Sequence, residues 1–330
     1  MLADVVIGLS YGDEGKGKIT HHLLKNGDYT HCIRFNGGCN AGHTMYYKNK
    51  KIVTHHIPAG VLSGVKSIIG SGCVVNIKQF FKEVKMLEEF GFQVKGRLFI
   101  AENAHIITDE HLEEDQKDTK IGTTKMGNGP AYRDKYNRQG ILAKDSQLKG
   151  TGWLIDLYQE LYENSFSPVI LFEGAQGFGL DIDWGDYPFV TSSHTTTAGA
   201  LLNGVPPQAI RNVYGVAKAY DTYVGAKEFH GADYLVFDKI QEIGNEFGAT
   251  TGRPRQCNWL NIKSLIKAIN ITGTTKLIIN KVDILREVGK WGLLEGDIPV
   301  KFINEKQWSS YIKNMIQDVD IVFSDSPERL

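Results

Sequence analysis

The stretch Asp4-Val-Val-Ile-Gly-Leu-Ser-Tyr-Gly-Asp-Glu-Gly-Lys-Gly-Lys-Ile-Thr20 constrains this chain more than any other. Val5, Val6 and Ile7 form an apolar run that reads as a buried strand. Gly8, Gly12, Gly15 and Gly17 punctuate a loop, and His21 to Lys25 reads as the helix behind it. Strand, glycine loop and helix together make a phosphate site, because glycines let backbone N–H groups approach an anion and the helix N-terminus adds positive potential. Gly12 to Lys18 satisfies G-x-x-x-x-G-K. Ile19 then stands where a P-loop carries the Ser or Thr that holds Mg²⁺. Asp13 lies inside the loop, where a carboxylate would face a phosphate. That contact is unfavourable unless a cation lies between the two or the carboxylate does chemistry. A solvent-exposed glycine loop is the plainer alternative.

The rest of the chain alternates apolar strands with helices. His31 to Phe35, Ile52 to Ile57, Ser67 to Gly70, Arg97 to Ala101, Pro168 to Phe172, Asn212 to Tyr220, Lys276 to Ile279 and Asp318 to Phe323 read as strands. Ile77 to Glu89, His105 to Asp118, Gly152 to Tyr162, Asn258 to Ile269 and Glu305 to Gln317 read as helices. This pattern predicts an α/β fold: a mainly parallel central sheet flanked by helices, with a P-loop-like phosphate site. With 330 residues the chain suffices for one large domain or two ordinary ones, and no linker or repeat divides it; it is read as one domain over residues 1–330. A net charge of −1 gives no basic field for nucleic acid. No apolar run reaches the length of a membrane span, and the N-terminus lacks the basic segment of a signal peptide. Cys32, Cys39, Cys73 and Cys257 have no C-x-x-C spacing, which argues against zinc or a disulfide framework and for a reducing, cytoplasmic setting.

Five further sites carry candidate chemistry. Asn36 to Thr44 is a second glycine-rich loop, and its His43 is either structural or catalytic. Ile121 to Pro130 is a third, able to meet an oxyanion, although turn formation alone would explain it. Asn245 to Arg255 carries Thr250, Thr251, Arg253 and Arg255 and suits a carboxylate or phosphate; a plain surface loop is the alternative. Gln176 follows a strand at the edge where open α/β sheets bind ligands. Asn280-Lys-Val-Asp283 after a strand is the arrangement by which GTPases read guanine, the aspartate accepting from N1–H and the 2-amino group.

Taken together these motifs resemble the adenylosuccinate synthetase family. The likeness is carried by Tyr11-Gly-Asp-Glu-Gly-Lys-Gly-Lys18, Asn40-Ala-Gly-His-Thr44, Ile121-Gly-Thr-Thr124, Gly129-Pro-Ala-Tyr132 and Glu173-Gly-Ala-Gln-Gly177. It continues through Tyr187 to Ser193, Gly248 to Arg253 and Lys281-Val-Asp283, in the family's order. The chain is shorter than the usual bacterial enzyme and nearer the archaeal and viral members. The resemblance implies a ligase that joins IMP and L-aspartate, converts GTP to GDP and phosphate, and uses Mg²⁺. It implies that Asp13 is the base for N1 of IMP and a Mg²⁺ ligand, with His43 the acid at the transferred phosphoryl group and Gly42 a second metal contact. It assigns Gly12, Glu14, Gly15, Lys16, Gly17, Lys18, Gly42, Arg255, Lys281, Asp283, Ser324 and Ser326 to GTP. Asp13, Lys16, Asn40, His43, Thr124, Gln176, Thr191 and Arg253 fall to IMP, as does Arg138, which reaches across a homodimer interface. Ala249, Thr250, Thr251, Gly252, Arg253 and Arg255 fall to aspartate.

Some positions depart from the family's pattern. Met126 replaces an arginine, Cys39 a histidine, Lys227-Glu228 a Gly-Pro and Ser326 a glycine, and Pro254 interrupts an arginine run. A viral branch uses dGMP instead of IMP; its members lack the loop aspartate, and the presence of Asp13 favours IMP. A regulatory GTP-binding module is the remaining alternative, but no D-x-x-G segment is present to sense a γ-phosphate.

Overall fold

The structure is a computed structural model and describes residues 1–47, 50–248 and 252–326. Among the described residues nine strands form one sheet, in the order Asp320–Phe323, Lys276–Asn280, Ile210–Lys218, Leu2–Gly8, Val169–Glu173, His31–Arg34, Lys66–Ile69, Leu98–Ala101 and Leu154–Ile155. Every neighbouring pair runs parallel. The central strands are apolar without alternation because helices cover both faces. Ala3, Val5, Val6 and Ile7 are all fully buried.

The chain starts in the middle of the sheet, builds one side outward, returns at Val169–Glu173, and then builds the other side. Successive loops therefore converge at the carboxyl edge on either side of Leu2–Gly8, where such sheets bind ligands. The opposite edge is tied by Asp4, which accepts from the Tyr29 hydroxyl (2.6 Å), the Arg211 guanidinium (2.7 Å) and the Asn212 amide (3.1 Å).

Ile77–Glu89 is helical as its spacing predicts. Ile77, Phe80, Val84 and Leu87 face the core, and the Asn76 side chain caps the first turn by accepting from the Gln79 N–H at 3.0 Å. Elsewhere the structure corrects the reading. The first helix runs Lys16–Asn26, five residues earlier than His21, because left-handed Gly15 turns the chain directly into it. Lys50–Thr54 pairs antiparallel with His43–Tyr47 as a hairpin outside the central sheet. The segments read as the helices His105 to Asp118, Gly152 to Tyr162 and Asn258 to Ile269 each open with a short strand. A capping residue (Thr108, Asp156 or Asn261) then starts the helix proper. Helices Asn128–Tyr136, Tyr234–Ile243 and Val282–Val288 occupy segments where the sequence pattern predicts no helix. Among the described residues, no helix is long and apolar enough to cross a membrane.

Candidate active site

A cleft of about 1050 Å³ lies along the carboxyl edge of the sheet. Its floor is the loop between Gly8 and Lys16. Gly12 and Asp13 both have left-handed backbones, with φ of 88° and 59°. Asp13 is not glycine, so this geometry carries strain of about 1 kcal/mol and is held by its surroundings. Glu14 provides the hold. Its buried carboxylate accepts from the N–H groups of Ser10 (3.2 Å) and Gly12 (2.8 Å), while Lys16 Nζ lies 2.6 Å away. Gly8 and Gly177 make room for it: a Cβ at either would fall 2.5 or 2.3 Å from a Glu14 oxygen. The Glu14 side chain thus shapes the loop from within. Ile19 is fully buried in the core, so the helix offers no hydroxyl at the position that serves Mg²⁺ in a P-loop.

Asp13 faces the cleft with its side chain one-third exposed, and its Oδ2 lies 2.8 Å from Arg255 Nε. Arg255 in turn donates to Glu246, which also accepts from Lys218 Nζ (3.2 Å) and the Tyr220 hydroxyl (2.7 Å). Burial pushes the Glu246 pKa up, but the charges of Lys218, Arg255 and Lys281 outweigh it and hold it down to about 2. Glu246 is a buried anion that fixes two cleft cations at once.

His43 enters from the hairpin. Gly17 lets the first helix approach it, since a Cβ there would sit 3.1 Å from the His43 Cβ. His43 Nδ1 bonds Glu173 Oε1, and Glu173 Oε2 accepts from the Ala59 N–H at 2.7 Å. Burial lowers the imidazole pKa, Arg34 lowers it further and Glu173 opposes them. A neutral ring donating Nδ1–H to Glu173 keeps Nε2 as its second polar atom.

Asn40 and Gly42 line the same wall as His43, and Thr124, Gln176 and Thr191 stand along the cleft. Gln176 donates from Nε2 to Asn40 Oδ1 (2.8 Å), and its buried Oε1 has no hydrogen-bond partner among the described residues. At the far end lie Lys281, Asp283 and Ser326. Asn280 clamps that end to the phosphate loop by donating to the Glu14 carbonyl at 2.7 Å. Arg253 lines the cleft and donates to the Gly122 carbonyl at 3.3 Å.

Gly12, Gly15, Lys16, Gly17, Lys18 and Arg255 of the expected set therefore share one cleft with the residues above. Ser324 is buried behind the lining, and Gly252 and the exposed Arg138 lie outside it. Ala249, Thr250 and Thr251 fall outside the described residues. The sequence singles out none of Glu173, Glu246 and Lys218 as site residues, and it marks Asn280 only as part of the guanine-type Asn-Lys-Val-Asp motif. The available signals were a lone acid ending an apolar strand, and an acid beside a two-arginine loop. Of the positions that depart from the family's pattern, Met126 packs onto the small cluster containing Cys39 and Tyr132. Away from the cleft, Asp181, Asp183 and His194 bring ligand-type atoms within 4.8 Å of one another. The Asp181 carboxylate there is already taken by the N–H groups of Asp183, Trp184 and Thr195.

The sequence matches the family model for adenylosuccinate synthetase over residues 5–165 and 153–293. It is 38% identical to the adenylosuccinate synthetase of Chlorobium phaeobacteroides, over 86% of this chain and 77% of that one. It is 39% identical to that of Helicobacter acinonychis, over 86% and 79%. The fold superposes on the fully ligated adenylosuccinate synthetase of Plasmodium falciparum with a TM-score of 0.88 and 27% identity, covering 99% of this chain and 98% of that one. A second similar fold, with a TM-score of 0.79 and 20% identity over 99% and 93%, is the cyanophage S-2L succinoaminodeoxyadenylate synthetase bound to dGMP and dATP.

Proposed function

The chain belongs to the adenylosuccinate synthetase family, and from that premise we propose how its cleft joins IMP and L-aspartate, with GTP as phosphoryl donor, to give adenylosuccinate, GDP and phosphate. The observation that carries the assignment of roles is Asp13: a carboxylate held in a strained turn of a phosphate loop, in the same cleft as His43. In that position it accepts the N1 proton of the purine. The electron pair shifts onto O6, which attacks the γ-phosphorus; the O6–P bond forms and the bond to GDP breaks. His43, oriented by Glu173, stabilises charge at the transferred group. The aspartate amine then attacks C6, the C6–O bond breaks, and phosphate leaves with O6. Without phosphorylation the leaving group would be oxide-like, so the donor's energy is used at this step. The open Gln176 acceptor suits a hydroxyl donor of the bound nucleotide, and Arg253 suits the aspartate carboxylates.

Arg255 neutralises Asp13 in the cleft as described, and the arriving triphosphate offers this arginine a second anion. Asp13 and the Gly42 carbonyl are hard oxygen donors in residues that line the same cleft, and this donor set fits Mg²⁺. Bound there, Mg²⁺ would neutralise charge on the β- and γ-phosphates. We take residues 1–330 as one functional domain, since strands from Leu2 to Phe323 share one sheet. The enzyme acts as a homodimer in which exposed Arg138 reaches the partner's IMP, and four buried free thiols suit the cytoplasm.

The test is a panel of IMP, GMP and dGMP crossed with GTP and ATP, with L-aspartate, monitored for the succinyl nucleotide. Turnover of IMP with GTP is expected. Preference for dGMP would overturn the substrate assignment, and GTP hydrolysis that needs neither purine nor aspartate would overturn the ligase reading.

A further inference from the structure

Two lysines enter the phosphate loop's helix, Lys16 and Lys18, and the P-loop pattern places the second of them over the phosphates. The structure separates them. Positions two apart on a helix point roughly 200° away from each other, so one anion cannot meet both side chains. Lys16 turns inward to Glu14. Lys18 turns to the other side, where its Nζ lies 2.8 Å from Asn280 Oδ1, 2.7 Å from Ser324 Oγ and 2.7 Å from the Ser326 carbonyl. An ammonium has three N–H donors, and these three acceptors account for all of them.

Asn280 ends the strand Lys276–Asn280, and Ser324 and Ser326 follow its parallel neighbour Asp320–Phe323. The segments that follow those strands carry Asp283 and Ser326, which line the far end of the cleft. The network continues through Asn280, whose Nδ2 donates to the Glu14 carbonyl, and through the Val282 N–H, which donates to the Ser324 carbonyl at 3.3 Å. Gly15 permits the approach, because a Cβ there would sit 2.9 Å from the Asn280 amide nitrogen. One ammonium thus fastens the phosphate-loop helix to both halves of the base-binding end.

We propose that Lys18 is a positioning residue for the donor base rather than a phosphate ligand: by holding Asn280, Ser324 and the Ser326 backbone together it sets the spacing between Asp283 and Ser326, and with it the preference for guanine over adenine. The proposal rests on the reading of GTP as donor. With its Nζ donors engaged by Asn280, Ser324 and the Ser326 carbonyl, Lys18 has none left over for the purine substrate or the transferred phosphoryl group, so its removal falls on recognition of the donor base.

The test uses the full-length protein with Lys18→Met, which keeps the aliphatic stem and removes the charge. Three quantities are measured: KM for GTP and for ATP in ligation, inhibition by guanosine, which has no phosphate, and inhibition by inorganic tripolyphosphate, which has no base. The expected result is an approximately tenfold loss in guanosine inhibition and in GTP-over-ATP preference, with tripolyphosphate inhibition within about twofold of wild type. An approximately tenfold loss of tripolyphosphate inhibition with base preference intact would make Lys18 a phosphate ligand and overturn the proposal, as would no change in any of the three. If Lys18→Met fails to fold, Ser324→Ala removes one acceptor alone and is expected to lower GTP-over-ATP preference by about threefold; unchanged preference there overturns the proposal. A wild-type protein without aspartate-dependent ligation would defeat the family function instead, which is a separate outcome.

Discussion

Replacing Glu246 with glutamine keeps the shape of the side chain and removes its charge. The wild-type carboxylate is fully buried among Lys218, Arg255, Lys281 and the Tyr220 hydroxyl, and its pKa is held at about 2 instead of 4.5. A tenfold change in acid dissociation corresponds to about 1.4 kcal/mol, so the charge contributes on the order of 3 kcal/mol to folding at neutral pH. That is at the lower end of the roughly 3–5 kcal/mol expected when one partner of a buried ion pair is removed. Unfolding entropy of about 2.1 cal/mol/K per residue over this chain converts the loss to a Tm drop of about 4–5 °C. The sign of the pH dependence follows from the depressed pKa: the contribution is complete above the unfolded value and is lost as pH falls through the folded value. The gap between wild type and Glu246→Gln should be clearly smaller at pH 3 than at pH 7. Denaturant unfolding of both proteins at pH 7 and pH 3 measures it. A variant within about 0.5 kcal/mol of wild type at pH 7, or a gap that does not change with pH, would refute the reasoning.

Glu173→Gln removes the carboxylate that orients His43; kcat should fall about 10²- to 10³-fold with KM for GTP little changed, as read by steady-state kinetics. Gly177→Ala places a Cβ 2.3 Å from Glu14 Oε1 and 2.5 Å from the Ser10 carbonyl, so the loop must shift. It should cost about 1–3 kcal/mol of stability and weaken GTP binding, as followed by thermal unfolding and nucleotide titration.

What could be read from the sequence was local. The phosphate loop and Asp13 stood out because spacing within a dozen residues defines them. Ile77–Glu89 stood out because its apolar residues keep a helical period. Glu173 and Asn280 act through partners 130 and 266 positions away, and no local pattern encodes such pairings. Helix Tyr234–Ile243 opens on the apolar run Tyr234-Leu-Val-Phe237, where period alone does not separate strand from helix. Lys18 shows the converse: its motif points to phosphate, while helix rotation and the end of a distant strand give it other partners.

The decisive measurement follows an oxygen atom. IMP labelled with ¹⁸O at C6 is turned over with GTP and L-aspartate, and the released phosphate is analysed by mass. If O6 is phosphorylated and then leaves from C6, the label appears in inorganic phosphate. Unlabelled phosphate formed alongside adenylosuccinate would mean that GTP is cleaved by water, and that Asp13 does not serve to make O6 a nucleophile.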